Sequence, residues 1–464
     1  MLASCGGGGS GSGAPIGGGG GGAPAPTPPP TGACALRERQ DWVLAQLQEW
    51  YLFPTLLDAS VNPAAHTTID SYIDALVAPA RAQSRDRYFT YLTSIAEENA
   101  FYAQGATAGF GIRLGYDSTA NRVFVIEAFE GAPALTAGFD RGTELLQIDS
   151  QSVSSLMASG GPSAVIAAFG PDTAGTSRQF VIRQLNGTQL TVTISKVVYS
   201  LDPVSDRYGA QILTDGARRI GYLNLRTFID SSDANLRAAF AQFKAQGVTE
   251  LIIDLRYNGG GLVSIAELFG DLMALGRSGQ VAGYVTFRDS KAAQNETVTF
   301  SAQTQAIAPT KVAFIGTRST ASASEMVING MVPFLAGNMA LVGTNTYGKP
   351  VGQIALDRAA CDDRLRAVAF KIENASHQGE YYNGLATTVG TTCRASDDIS
   401  RQLGDPNETM VKAALDYLAG RSCTSIASAS APQAESPGGV IVRGVLTDET
   451  PAASTIRREL PGAY

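Results

Sequence analysis

The chain has 464 residues, 44% of them hydrophobic, enough for two or three domains with substantial cores. Its formal net charge is −7 and its pI is near 5.1, which argues against a nucleic-acid partner, since that needs a basic stripe to replace phosphate counterions. The two histidines, His66 and His377, have no metal-ligand spacing, so zinc chemistry and histidine-based catalysis are poorly supplied. No run of about 18 apolar residues offers a membrane-spanning helix.

Residues 6–32 read as a Gly-rich, then Pro-rich linker, and residues 1–33 form the first segment of the expected organisation. From Cys34 the composition changes. Leu36, Val43, Leu44, Leu47, Trp50 and Tyr51 share one helical face, and Pro54 ends the run. Residues 71–76 and 84–100 read as further helices, giving a helical region over 34–104. Residues 105–198 change to short strands and glycine turns, with strands at 109–114, 123–126 and 145–148, a helix at 162–169 and a closing hairpin of 179–183 with 189–196. Residues 205–424 alternate strands (220–225, 250–255, 312–315) with helices (234–246, 262–275), the pattern of a sheet flanked by helices. Further strands are expected at 351–356 and 366–372, and a helix at 409–419. Residues 425–464 are a Ser/Ala/Pro-rich tail with one short strand at 440–445. Of the five cysteines, none forms a C-x-x-C pair. The expected bridges are Cys361 with Cys393, closing a local loop, and Cys34 with Cys423, with free buried thiols as the alternative.

Two stretches carry chemistry. In the first, the apolar run Val312–Ile315 meets a tight turn, and Ser322 then opens a helix whose Ala323, Met326, Val327 and Gly330 follow the i, i+3, i+4, i+7 pattern. Ser322 with Glu325 also makes a capping box. A hydroxyl at such a turn lies near backbone N–H groups and the positive end of a helix dipole, the surroundings of a serine nucleophile whose proton Lys349 can take. In the second, a buried strand passes through Gly259, Gly260 and Gly261 into a helix, implying close backbone approach to a phosphate or an oxyanion. The run from Gly343 to Lys349 nearly matches a phosphate loop. Pro350, however, replaces the magnesium-binding hydroxyl and a strand follows where a helix is required, so no nucleotide or other cofactor is expected. Ser324 is a rival nucleophile one step along the helix. Taken singly, Ser322 is also explained as an N-cap and Lys349 as a solvated lysine.

Three motifs occur in order: D-L-R-x-N-x-G-G at 254–261, S-A-S-E at 322–325 and Y-G-K-x-x-x-Q at 347–353. Over residues 85–420 the chain resembles the C-terminal processing (tail-specific) serine peptidases. The resemblance implies an α/β (α+β) peptidase core, Ser322 as nucleophile, Lys349 as general base and Gln353 as the residue orienting the lysine. It also implies an oxyanion hole made by the N–H groups of Gly260 and Ala323. In an extended strand Gln353 shares a face with Lys349. Pro350 stands where that family usually has glycine. The segment 105–198 resembles a PDZ domain, with Gly109, Phe110, Gly111 and Ile112 forming a carboxylate-binding loop beside a strand edge open to peptide addition. Leu2-Ala3-Ser4-Cys5 resembles the bacterial lipobox, implying lipidation at Cys5 and an exported, periplasmic or cell-envelope protein tethered to a membrane surface. The expected activity is a serine endopeptidase acting on proteins with apolar C-terminal tails. An inactive PDZ scaffold and an esterase-like acyl transferase are the alternatives.

Overall fold

A computed structural model describes Gly32, residues 34–426 and residues 455–464. Cys5, the linker before Gly32 and the strand expected at 440–445 lie outside the described residues. No helix among the described residues is long and apolar enough to cross a membrane. The chain divides into two compact units, one of Met1–Ala96, Thr286–Glu296 and Val351–Lys371, the other of Glu97–Val285, Thr297–Pro350 and Ile372–Tyr464.

In the first unit the Leu36–Trp50 helix buries Val43 and Leu47, and Pro54 opens a 3-10 turn just beyond it, as the apolar stripe predicts. The helix expected over 84–100 is not formed as such. Tyr91–Ser94 is a strand, paired antiparallel with Asp363–Asn374 through Tyr91 and Arg366, and the helix begins only at Ile95. The cause is Asp86, which is wholly buried. Its carboxylate accepts the N–H groups of Phe89 (2.8 Å) and Thr90 (3.1 Å) and the hydroxyls of Thr90 (2.6 Å) and Tyr51 (2.9 Å). Those bonds compete with helical hydrogen bonds and leave the aromatic, β-branched run to pair as a strand.

The cysteine pairing is also corrected. The bridges are Cys34–Cys361 and Cys393–Cys423. Cys361 lies in the short turn Ala359–Cys361 between strands Val351–Arg358 and Asp363–Asn374, with its Cα 5.6 Å from that of Cys34. Cys393 belongs to the sheet strand Thr392–Arg394, against which the chain returns after its last core helix, Arg394 N–H donating to Thr424 O at 2.7 Å. Sequence separation misled here because spatial neighbours were set by strand pairing.

The second unit is built on a six-stranded sheet in the order Ala210–Asp215, Arg218–Asn224, Glu250–Asp254, Lys311–Gly316, Met339–Gly343, Thr392–Arg394. The first pair is antiparallel and the remaining four pairings are parallel. Alternate residues face opposite layers, as period-2 geometry requires. Leu251, Ile253, Val312, Phe314 and Leu341 pack with Phe240, Phe269, Val327 and Met331 from helices Ser232–Ala245, Val263–Leu272 and Ala323–Leu335. Ile252, Ala313, Ile315, Ala340 and Val342 pack with Met410, Val411 and Ala414 of the Thr409–Leu418 helix.

The same unit holds a smaller β-domain with the strand order Ile112–Asp117, Arg122–Ala128, Glu144–Ile148, Ser177–Arg183, Gln189–Ser195, covered by the Val153–Phe169 helix. That helix starts nine residues before the expected one and kinks at Gly161, just ahead of Pro162. Its core gathers Phe110, Ile112, Phe139, Phe169 and Phe180.

Glu127, on the Arg122–Ala128 strand, is buried with Arg113 and Arg226, accepting from Arg113 Nε at 3.1 Å, Arg226 Nε at 2.7 Å and the Tyr208 hydroxyl at 2.5 Å. Burial pushes its carboxyl up, but Arg226 and Arg113, with the Tyr208 hydrogen bond, outweigh burial and bring it from 4.5 down to about 2. A depressed carboxylate contributes stability above its unfolded value, and that contribution is lost as pH falls from 4.5 toward 2. We therefore expect thermal melts of Glu127→Gln at neutral pH to show a loss of about 3 kcal/mol from the stranded guanidiniums. The variant should also show a shallower decline than wild type over that acid window. Parallel declines in the two proteins would refute the assignment.

Candidate active site

Three neighbouring parallel strands bring the chemistry together, because parallel strands deliver their carboxyl ends to one edge of the sheet. Asp254 pairs with Ile315, and Gly316 with Gly343. The glycine loop therefore leaves the Glu250–Asp254 strand, and the Ser322 turn leaves Lys311–Gly316. The loop carrying Lys349 leaves Met339–Gly343.

Ser322 precedes the Ala323–Leu335 helix with φ 54° and ψ −116°. That backbone conformation is costly for a residue with a side chain and persists only where surrounding contacts over-determine it. The contacts are on both sides. Ala321 N–H and the Ser324 hydroxyl both donate to Asn258 O at 3.1 Å. Asn258 itself is fixed by its Nδ2, which donates to Leu225 O at 2.8 Å. Ser324 is wholly buried and its hydroxyl is engaged in this bond, whereas Ser322 is half-buried at the turn.

Gly260, at φ 119°, faces this turn so closely that an added Cβ would lie 2.8 Å from Ser322 Cβ and 3.1 Å from Ala323 N. The close approach implied by the glycine run is therefore to the serine turn. Ala323 is the first helical residue, a position whose N–H has no intrahelical acceptor. The Gly260 N–H, by contrast, donates to Asn258 Oδ1 at 2.9 Å. Of the two N–H groups expected to form an oxyanion hole, one is thus held by a neighbouring side chain in this structure.

Glu325 joins the serine turn to the lysine loop. It is wholly buried. Its Oε2 accepts the N–H of Ser322 at 3.1 Å and that of Lys349 at 2.7 Å, while Oε1 accepts the Gly348 N–H at 2.7 Å and the Thr346 hydroxyl at 2.6 Å. Burial pushes this carboxyl up, against the opposing pull of the Lys349, Gly348 and Ser322 N–H groups and the Thr346 hydroxyl. Gly348, at φ 94°, cannot carry a side chain, because its Cβ would meet Tyr382 O at 2.3 Å. Lys349 is half-buried between buried Gly348 and Pro350.

Gln353 lies in the other compact unit, where its Nε2 donates to Phe89 O. Its expected sharing of a face with Lys349 assumed unbroken extended chain. The strand begins only at Val351, and its register shifts between Gly352 and Gln353. In the β-domain, the Phe110 ring is buried in the core, an added Cβ on Gly109 would meet Tyr464 C at 2.8 Å, and the N–H groups of Gly111 and Ile112 converge on Tyr464 O at 2.9 and 3.0 Å.

The acids and bases around the D-L-R run are architectural. Asp254 accepts Arg256 Nε at 3.0 Å and the Tyr222 hydroxyl at 2.8 Å, and Arg256 reaches Glu408 at 2.8 Å, the residue that caps the Thr409–Leu418 helix through Val411 N–H. Sequence reasoning gave Glu325 a capping role and missed its larger one. The available signal was an acid in the first turn of an otherwise apolar helix, with Ile328 and Asn329 instead of a cation three and four residues on.

Residues 219–414 match the family model Peptidase family S41. Among curated proteins, the chain is similar to the chloroplastic C-terminal processing peptidase of Tetradesmus obliquus, 27% identical over 272 residues, covering 54% of this chain and 53% of that protein. It is also similar to the carboxyl-terminal-processing protease of Synechocystis sp., 24% identical over 340 residues, covering 71% and 72%. The chain thus spans about half the length of the first of these relatives. A solved structure from Bacteroides fragilis assigned to the S41 proteases shares the fold, with a TM-score of 0.63 at 22% identity, over 82% of this chain and 97% of that one.

Replacing Glu325 by Ala strands three N–H groups and a hydroxyl in the interior. Denaturant unfolding of Glu325→Ala is expected to show a loss of about 3 kcal/mol or more. A loss under about 1 kcal/mol would mean the clamp is not formed in solution.

Proposed function

We propose that the protein, whose residues 219–414 match the model of peptidase family S41, is a serine endopeptidase working through Ser322 and Lys349. The observation that carries this reading is the single Glu325 oxygen shared by the Ser322 and Lys349 N–H groups, since it holds the two backbones at one point. Neutral Lys349 Nζ accepts the Ser322 proton as Oγ adds to the scissile carbonyl carbon. The resulting oxyanion is stabilised by Ala323 N–H and by Gly260 N–H once the latter leaves Asn258 Oδ1. Collapse of this intermediate breaks the C–N bond, with the lysine proton passing to the leaving amine. Water then hydrolyses the acyl-enzyme.

The β-domain acts as a PDZ-like module that captures protein substrates by their apolar C-terminal tails, a role supported by the two converging N–H groups of Gly111 and Ile112. Two disulfides in the described chain support an oxidising compartment. With the lipobox-like start they favour an exported protein anchored through Cys5.

The test is degradation of an unfolded protein carrying an apolar C-terminal tail. Ser322→Ala and Lys349→Ala should each reduce turnover by at least about 1,000-fold. Ser324→Ala, which removes only a buried structural hydrogen bond, should retain measurable turnover. Full activity in either of the first two variants would sink the dyad.

A further inference from the structure

The groove of the β-domain is not empty. After a turn at Leu460–Gly462, residues Gly462–Tyr464 run along the edge of the Ile112–Asp117 strand, with Tyr464 N–H donating to Ile112 O at 2.8 Å and Leu114 N–H donating to Gly462 O at 2.8 Å. Arg113 and Ala463 form an antiparallel bridge. Tyr464 O receives the two N–H groups of Gly111 and Ile112 already described. This is strand addition closed at one end by paired donors, the arrangement that holds a peptide carboxylate.

We propose that Leu460–Tyr464 is a ligand of this groove in cis, so that the groove selects peptide ends of the type Leu-Pro-Gly-Ala-Tyr and an incoming chain has to displace this segment. The proposal rests on the reading of the β-domain as a peptide-capturing module, and it adds the ligand's chemistry and its resident competitor.

The side chains of the segment divide between two pockets, Tyr464 in one and Ala463 with Leu460 in the other, because Leu460–Ala463 closes a turn in which Ala463 N–H donates to Leu460 O at 3.1 Å. Tyr464 enters the β-domain core, stacked on Phe169 with ring centroids 5.5 Å apart and an interplanar angle of 10°, and the Arg457 guanidinium lies 4.7 Å from its centroid. Ala463 and Leu460 pack instead with Phe101, Phe129 and Tyr199. An aromatic last residue after a small one therefore fits the walls. Gly109 has no room for a side chain because Tyr464 fills that space. Arg113 Nη1 donates to Pro461 O at 3.0 Å. Upstream, Glu459 O accepts the Gly259 N–H at 3.0 Å, and an added Cβ on Gly259 would lie 2.0 Å from Arg458 O. The segment thus reaches from the glycine loop beside Ser322 to the far end of the groove.

The experiment uses a fluorescent free-acid peptide, Glu-Leu-Pro-Gly-Ala-Tyr, and polarisation against three full-chain backgrounds, all carrying Ser322→Ala to prevent cleavage. These are the otherwise unaltered chain, the chain lacking residues 460–464, and the chain with Tyr464→Asp. The unaltered chain is expected to bind at least about 10-fold more weakly than the other two, because its groove is filled by a tethered competitor. Adding Gly109→Ala to either of those two should abolish binding, and the amidated peptide should bind more weakly than the free acid. Equal affinity across the three backgrounds overturns the proposal, as does absence of binding in a truncated chain with an intact cooperative melt. If truncation prevents folding, the comparison of Tyr464→Asp with the unaltered chain decides by itself. Binding of the amidated peptide at undiminished affinity overturns the assigned ligand class. These outcomes are independent of peptidase activity. A protein that shows the binding pattern yet has no Ser322-dependent turnover would refute the proposed function and leave this inference standing.

Discussion

The structure depends on one buried carboxylate. Glu325 sits at the start of a helix, where the dipole favours negative charge, and accepts four donors from two chain segments, the serine turn and the lysine loop. Removing a carboxylate from water is expensive, and only a full set of hydrogen bonds offsets the cost. That requirement works as a constraint in both directions. The serine turn and the lysine loop cannot drift apart without orphaning buried N–H groups, so the separation of the Ser322 and Lys349 backbones is enforced by a carboxylate that belongs to neither. A loop alone would not hold a lysine in that way, since long side chains on unclamped loops lose their position to conformational entropy.

Much of this was legible before any coordinates. The unbroken apolar runs Leu251–Ile253 and Val312–Ile315 mark two strands buried on both faces, and the glycine run and the serine turn then fall at strand ends because strands and helices alternate around them. What escaped the sequence was long-range. Nothing near Asp86 advertises that its carboxylate will take the N–H groups of Phe89 and Thr90 and so break an apparently continuous helix. The register shift at Gly352 undoes a period-2 argument that is sound for a regular strand. The cysteine pairs follow from which strands become neighbours, which spacing along the chain does not encode. Asn258 shows the same limit at the site itself. The D-L-R-x-N-x-G-G motif names it, but only packing reveals that its carbonyl accepts from the serine turn while its side chain holds Gly260 N–H.

The β-domain raises a related point about what a motif can specify. The Gly109–Ile112 loop supplies the two N–H groups that meet Tyr464 O, yet these four residues do not determine what packs around the chain they hold. The aromatic stack of Tyr464 on Phe169 and the small-residue contact of Ala463 with Phe129 and Tyr199 depend on four parts of the chain far apart in sequence. The side-chain packing around Ala463 and Tyr464 is therefore a property of the folded groove, whereas the paired backbone donors come from two consecutive residues.

The left-handed backbone at Ser322 has a consequence for how such a protein changes over time. Glycine occupies that region of conformational space without penalty, whereas any side chain there costs on the order of 1–3 kcal/mol. Under selection for folding alone, position 322 would drift to glycine and the molecule would gain stability. A Ser322→Gly change therefore removes the local strain together with the hydroxyl, so the stability of the fold and the presence of a side chain at this turn pull in opposite directions.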